Sequence, residues 1–294
     1  MKILCAGDNN VDIYPEEQLV YPGGNCVNVA AYVSENGGTA AYLGNLGKDD
    51  FGQLQKKALE EYGVQVFVRW QEEITSNAIV YHIGNDRQFG AYDNSIHVRH
   101  PLKLSQEEKN RLSDWELLHT SRYAIFAAGE MEELSSRIKI SYDFSNDWDE
   151  EEIRQLAPYL TYAFFSCDQM KESEIWSFLK SMCCKGCKTA VATRGADGAY
   201  VCSDGKEYRR EAFRVSPVDT IGAGDSFIAR FLQVHMDLEE CIQKWEEELK
   251  RVGQKVDFSK AKEDAMQAAL SQAALYAARN CMKKGAFSEP MKQK

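Results

Sequence analysis

Nine consecutive residues carry the most chemistry in this chain: Asp219-Thr220-Ile221-Gly222-Ala223-Gly224-Asp225-Ser226-Phe227. Two glycines bracket an alanine, and a carboxylate follows at once. Small residues let the backbone turn sharply and come close to a ligand. Where such a turn opens a helix, its consecutive N–H groups form a site for an anion. A carboxylate inside an anion-binding turn repels a phosphate, so Asp225 needs a task there. Taking the proton from a hydroxyl that attacks a phosphoryl group is such a task. Alone, Gly-x-Gly-Asp reads more readily as an ordinary helix start, with glycines for the turn and an acid favoured by the helix dipole. The rest of the chain has to separate the two readings.

A second set of polar residues stands near the N-terminus. Lys2 to Ala6 reads as a short buried strand, and Asp8, Asn9, Asn10, Val11 and Asp12 follow it. In α/β folds ligands bind at the carboxyl ends of strands, although a run of Asx residues also makes an ordinary turn. Pro22-Gly23-Gly24-Asn25 then opens a segment with helical spacing, in which Asn25 and Asn28 lie one turn apart on one face. Asn28 is the odd residue in an apolar helix. A buried Asn needs partners, and a sugar hydroxyl would serve. Further on, Thr193-Arg194-Gly195-Ala196-Asp197-Gly198 joins two strand-like runs through a glycine turn. Cys183, Cys184 and Cys187 are clustered, but no second Cys or His pair follows at metal spacing, so a structural zinc is not expected.

The elements that must position these residues alternate in type. Strand-like runs at 39–43, 117–120, 138–142, 163–166 and 189–193 are separated by helical patterns. That alternation predicts a mostly parallel sheet with helices on both faces. Between Gln65 and Tyr92 apolar and polar residues alternate instead, which predicts a β-ribbon with solvent on one side. Segments of about 9–22 and 65–95 are therefore expected to form a lid, the kind of element that supplies specificity and excludes water. Residues 239–263 are densely charged and read as a solvated surface helix plus a connection, and the Ala-rich stretch 261–278 as a packed helix.

The chain of 294 residues is 44% hydrophobic, enough for a single domain spanning 1–294. A net charge of −10 provides no basic footprint for nucleic acid. No apolar run has membrane-spanning length. The N-terminal apolar run is too short for a secretory signal, and nine irregularly spaced cysteines point to a reducing, cytoplasmic setting.

Together these residues resemble the ribokinase-like (PfkB-type) carbohydrate kinases, nearly end to end. The family's closing motif, Asp-Thr-x-Gly-Ala-Gly-Asp-x-Phe, is intact at 219–227. Its Gly-Gly motif with a following Asn is similar to Gly23-Gly24-Asn25-Cys26-Val27-Asn28, its opening Asn-x-Asp to Asn10-Val11-Asp12, and its Thr-x-Gly-x-x-Gly turn to 193–198. The resemblance implies a three-layer α/β sandwich with a central mostly parallel sheet and a small β lid. It implies ATP-dependent transfer of the γ-phosphoryl group to a sugar hydroxyl, with Mg2+ accompanying ATP. On that likeness Asp225 is the base, and Gly222, Ala223 and Gly224 form the anion hole. Asp12, Gly24 and Asn28 hold the sugar, with Asp8, Asn25 and Arg87 beside it. Thr193, Gly195 and Gly198 line the nucleotide side, and Asn280 lies near the base. Asp219 and the Gly285-Ala286 turn sit where family members hold a monovalent cation such as K+. Asp143 and Asn146 look like a variant of the family's Asp-Pro-Asn strand end.

One departure stands out. The family's Asn-x-x-Glu, which helps organise magnesium and phosphate, is here Ser166-Cys167-Asp168-Gln169, leaving Asp168 as the substitute metal residue. Within the family the likeness is to members that phosphorylate the 6-hydroxyl of the fructosyl part of an Amadori compound. The amino-acid tail of such an acceptor calls for acids, for which Asp8, Glu16 and Asp93 are candidates. Another ketose, a keto-deoxy sugar acid or a nucleoside stays open as acceptor, the acid because Arg69, Arg87 and Arg99 lie near the lid. A non-catalytic sugar- or nucleotide-binding protein on the same fold is the alternative of another class. The edge of the lid leaves room for a homodimer.

Overall fold

The computed structural model describes residues 1–83 and 86–292, with the backbone alone at 82, 83 and 86–89. In chain order the elements begin with β1 (Lys2–Ala6), β2 (Asn10–Tyr14), β3 (Leu19–Gly23), α1 (Asn25–Glu35), β4 (Thr39–Gly47), α2 (Asp50–Glu61) and β5 (Gln65–Gln71). A hairpin of β6 (Asn77–Ile83) and β7 (Asp86–Asp93) follows, then α3 (Ser95–Arg99), α4 (Gln106–Asn110), β8 (Leu117–Ser121), α5 (Glu130–Ser135), β9 (Lys139–Asp143) and α6 (Glu150–Leu156). The remainder comprises β10 (Tyr162–Ser166), α7 (Glu172–Cys184), β11 (Thr189–Thr193), β12 (Ala199–Ser203), β13 (Lys206–Arg210), α8 (Ala223–Arg251), α9 (Ser259–Asn280) and β14 (Met291–Lys292).

The large sheet has the order β13-β12-β11-β10-β9-β8-β1-β4-β5. Every pairing from β11 to β5 is parallel, and β12 and β13 close one end antiparallel. Its inner strands, from β12 to β4, are buried on both faces, as parallel strands covered by helices are. In β1, Ile3 and Cys5 point into one core with α1, α8 and α9, while Leu4 and Ala6 point into the other with α5, α6 and α7. This is a ribokinase-like three-layer arrangement. Because β1 has β8 on one side and β4 on the other, the chain leaves its carboxyl end in two directions, and a crevice opens there.

A second sheet has the order β14-β3-β2-β6-β7. Here the expected lid boundaries need correction. Residues 65–71 form β5 and pair in parallel with β4, from Ala41↔Gln65 to Gly47↔Gln71, so they extend the large sheet. An edge strand with one solvated side alternates just as a lid strand does. The small sheet takes its later strands only from 77 onward, and it recruits Met291–Lys292 from the far end of the chain. Among the described residues no helix is long and apolar enough to cross a membrane.

Candidate active site

Three parallel strands, β1, β8 and β9, deliver Asp8, Ser121 and Asp143 to the same edge of the large sheet. Asp8 is 3% exposed. Its Oδ2 accepts from the Asn25 amide at 2.7 Å, and its Oδ1 from Ser121 Oγ at 2.7 Å. It is therefore the carboxylate that satisfies the first amide of α1, where the helix dipole favours an anion.

Three amide side chains each hold one further acid. Asn25 Nδ2 donates to Asp143 Oδ2 at 2.6 Å, Asn28 Nδ2 to Asp225 Oδ2 at 2.7 Å, and Asn10 Nδ2 to Asp12 Oδ1 at 2.7 Å. The one-turn spacing of Asn25 and Asn28 on α1 is what lets one helix face reach both Asp143 and Asp225. Asn28 Oδ1 is buried with no partner among the described residues.

Asp8, Asp12, Asp143 and Asp225 are all buried and share one electrostatic neighbourhood. Burial pushes the Asp225 carboxyl well above the usual carboxylate range, and the charges of Asp143, Asp8 and Asp12 push the same way against the Asn28 hydrogen bond. Asp143 is raised to about 6 by burial, with Asp8 adding to it, while bonds from the Ser145 amide and Asn25 oppose the rise. Such a group of acids favours taking up protons or a cation.

The nine-residue motif lies over the head of α8. Gly222 is its N-cap at φ 71°, where a methyl group would lie 2.5 Å from Tyr32 Oη. Gly224 is different: a methyl there would meet no protein atom within 4 Å, so that side of the helix start is open. The Ala223 amide donates to Thr220 O at 3.2 Å. Of the three expected anion donors it is thus the one that closes the turn, which leaves Gly222 and Gly224 for a ligand. Asp219 clamps the loop from below, its Oδ1 accepting from the Ile221 amide at 2.7 Å and its Oδ2 from the Gly285 amide at 3.0 Å.

Several other expected residues have structural partners that the sequence did not disclose. Asn280, expected near the nucleotide base, accepts from Tyr32 Oη at 2.9 Å and donates to Ile221 O at 2.9 Å, so both ends of its amide brace the motif loop. Gly24 is demanded by the chain itself, since a methyl there would lie 2.6 Å from Asn9 Cα. Gly198 is demanded by β13, with Arg210 O at 2.0 Å from the same imagined atom. Thr193 ends β11, its Oγ1 3.4 Å from Phe165 O, and Gly195 turns beside Asp168. Asp168 faces Arg194 and Asp197, away from the charges that act on Asp225. Burial raises it and the Arg194 guanidinium opposes the rise.

Around the small sheet, Glu16 is exposed and Asp93 accepts from the Ser95 amide at 2.9 Å. Arg69 is held by Glu108 at 2.7 Å, and Arg99 lies 3.6 Å from Glu73. The Arg87 side chain lies outside the described residues. Among the described residues no group of three or more His, Cys, Asp or Glu is disposed to hold a metal by itself. Ser121, Tyr92 and Tyr123 border the acids without having been anticipated. Ser121 alone carried a signal, as the polar end of a strand.

The sequence pattern of the pfkB family carbohydrate kinases matches residues 4–244. The chain is 33% identical over 236 residues to fructosamine kinase FrlD of Bacillus subtilis, covering 79% of this chain and 82% of that protein. It is 34% identical over 236 residues to fructoselysine 6-kinase of Escherichia coli, covering 79% and 88%. The crystal structure of aminoimidazole riboside kinase from Salmonella enterica, complexed with aminoimidazole riboside and an ATP analogue, superposes with a TM-score of 0.69 at 25% identity, covering 98% of this chain and 96% of that one. Sequence, fold and the order of the motifs agree: the chain belongs to the pfkB family of carbohydrate kinases and is a phosphotransferase acting on a sugar.

Proposed function

We propose that the protein transfers the γ-phosphoryl group of ATP to the 6-hydroxyl of a fructosyl-amine such as fructoselysine. The observation that carries the chemistry is Asp225, fixed by Asn28 at 2.7 Å on the first turn of α8 beside the open side of Gly224. A hydroxyl seated there would donate its proton to Asp225 as it attacks. The unpaired Asn28 Oδ1 would accept from a second sugar hydroxyl, which removes the cost of leaving it buried alone. The amides at the helix head would receive the phosphate. Mg2+ would neutralise charge on the phosphates when bound, with Asp143 and Asn146 at the end of β9 as its protein side. Thr193 and Gly195 would line the nucleotide, and Asp219 with the Gly285 turn is the proposed monovalent-cation position.

The acceptor is supported by two relatives named for fructosamine and fructoselysine. It is also supported by charge. Four buried acids suit an acceptor that brings a cationic amine. Among the described side chains a sugar acid finds less support, because Arg69 and Arg99 already face Glu108 and Glu73.

The test is ATP consumption with Mg2+ on fructoselysine, fructose, ribose, 2-keto-3-deoxygluconate and adenosine. Fructoselysine is expected to exceed the others. In Asp225→Ala, turnover is expected to fall about 10²–10⁴-fold with the melting temperature retained. Preference for another acceptor would replace the substrate, and near-normal turnover in Asp225→Ala would remove Asp225 as the base.

A further inference from the structure

We propose that Tyr92 selects the acceptor, its open ring forming the wall against which a cationic amine beside the fructosyl group rests. This rests on the fructosyl-amine reading above.

The argument starts from strand register. Asp12 of β2 lies opposite Ala78 of β6, and Ala78 lies opposite Tyr92 of β7. Directly opposed residues on neighbouring strands share a face of the sheet. Asp12, Ala78 and Tyr92 therefore form one rung on the face that carries Asp12. Ala78, in the middle, contributes only a methyl group and is buried. The rung thus has a carboxylate at one end, an aromatic ring at the other, and a shallow place between them.

The two ends of Tyr92 have different surroundings. The side chain as a whole is 47% exposed. Its hydroxyl end is the buried one, with the Ser76 side chain, Asp8, Tyr123 and Asp12 in its electrostatic surroundings. Burial of that end, followed by the charge of Asp8, pushes the phenol up to about 12, so it stays neutral. What remains open is ring surface, with the hydroxyl end toward the charges of Asp8 and Asp12. A cation beside such a ring gains from the ring quadrupole and from the acids together, whereas a neutral hydroxyl can bond to an acid but gains little from the ring. In a fructosyl-amine the amine is bonded to C1 of the sugar, so a sugar held at Asp12 carries its cation within reach of the same rung.

The experiment compares wild type, Tyr92→Phe and Tyr92→Leu, measuring kcat/KM for fructoselysine and, in parallel, fructose as acceptor or competitive inhibitor. Tyr92→Leu is expected to lower kcat/KM about tenfold more for fructoselysine than for fructose, chiefly through KM. Tyr92→Phe keeps the ring and is expected to stay within about threefold of wild type. An equal loss on both acceptors would make Tyr92 a general wall and overturn the proposal. So would a loss in Tyr92→Phe as large as in Tyr92→Leu, which would assign the effect to the hydroxyl. A wild type that does not turn over fructoselysine removes the substrate reading and this inference with it. A wild type that does, with an unshifted preference in Tyr92→Leu, removes this inference alone.

Discussion

Asp225 has to be unprotonated to accept a proton, yet burial and the charge of Asp143 both raise its pKa. The acid limb of kcat/KM is therefore expected above the ordinary carboxylate range. Asp143→Asn removes the strongest charge acting on Asp225; its one oxygen can accept from the Ser145 amide, and its new NH2 can donate to the Asn25 amide oxygen once that side chain turns over. In that variant the limb should move to lower pH, read from the pH profile of kcat/KM. A limb that does not move would show that Asp143 does not tune Asp225. The same substitution makes a prediction about stability. The folded chain holds the Asp143 proton more tightly than the unfolded chain, with a pKa near 6 against 3.8. Its favourable contribution is complete below the lower value and is lost as pH rises through the higher one. Asp143→Asn should accordingly raise the melting temperature above pH 6 relative to wild type, and this gain should vanish in acid.

The head of α8 shows how one element uses two glycines for different ends. A methyl at Gly222 meets Tyr32 Oη at 2.5 Å on a backbone of positive φ, so Gly222→Ala is expected to lower stability by about 1–3 kcal/mol. A methyl at Gly224 meets no protein atom, and within a helix Ala is favoured over Gly by about 0.5–1 kcal/mol. Gly224→Ala should therefore hold or raise the melting temperature while cutting kcat/KM on the order of tenfold or more by filling the phosphate approach. A Gly224→Ala enzyme with full activity would mean that the phosphate does not come to that side. The spacing of these glycines, and of Asn25 with Asn28, was legible because helix geometry is local. The partners they reach were less so. Asn25 and Asp143 are 118 residues apart and meet only because β8 and β9 lie in sequence beside β1. Tyr92 carried no signal at all, since its place depends on the register of two strand pairs. The misplacement of β5 has the same root, because alternation reports a solvated face without naming the sheet. The bracing partners of Asn280, Tyr32 and Ile221, come from distant elements and leave no local signal.

At the scale of the molecule, the residues after α9 do more than finish the chain. The family pattern covers 4–244, yet the segment from Lys284 ties together three parts of the site. Lys284 Nζ pairs with Glu17 at 2.9 Å, the Gly285 amide binds Asp219, and Ala286 O lies 2.7 Å from Tyr32 Oη. Tyr62 donates to Phe287 O and packs edge-on against its ring, and β14 then pairs with β3 of the small sheet. The segment thus spans the motif loop, α1 and the small sheet, and holds them in one relative position. Each hydrogen bond contributes about 0.5–1.5 kcal/mol, and burial of Phe287 about 1.5–3. Ending the chain at Lys284 should therefore lower the melting temperature and abolish turnover, because Asp219 loses its Gly285 partner and the Gly222 turn loses its backing. Among the described residues, ending it at Pro290 removes only the β14–β3 pairing. That shorter truncation should keep the melting temperature and kcat but raise KM for the sugar, since only the small sheet loses its outer strand. If both truncations behave alike, the clamp on the motif loop is not what the segment supplies.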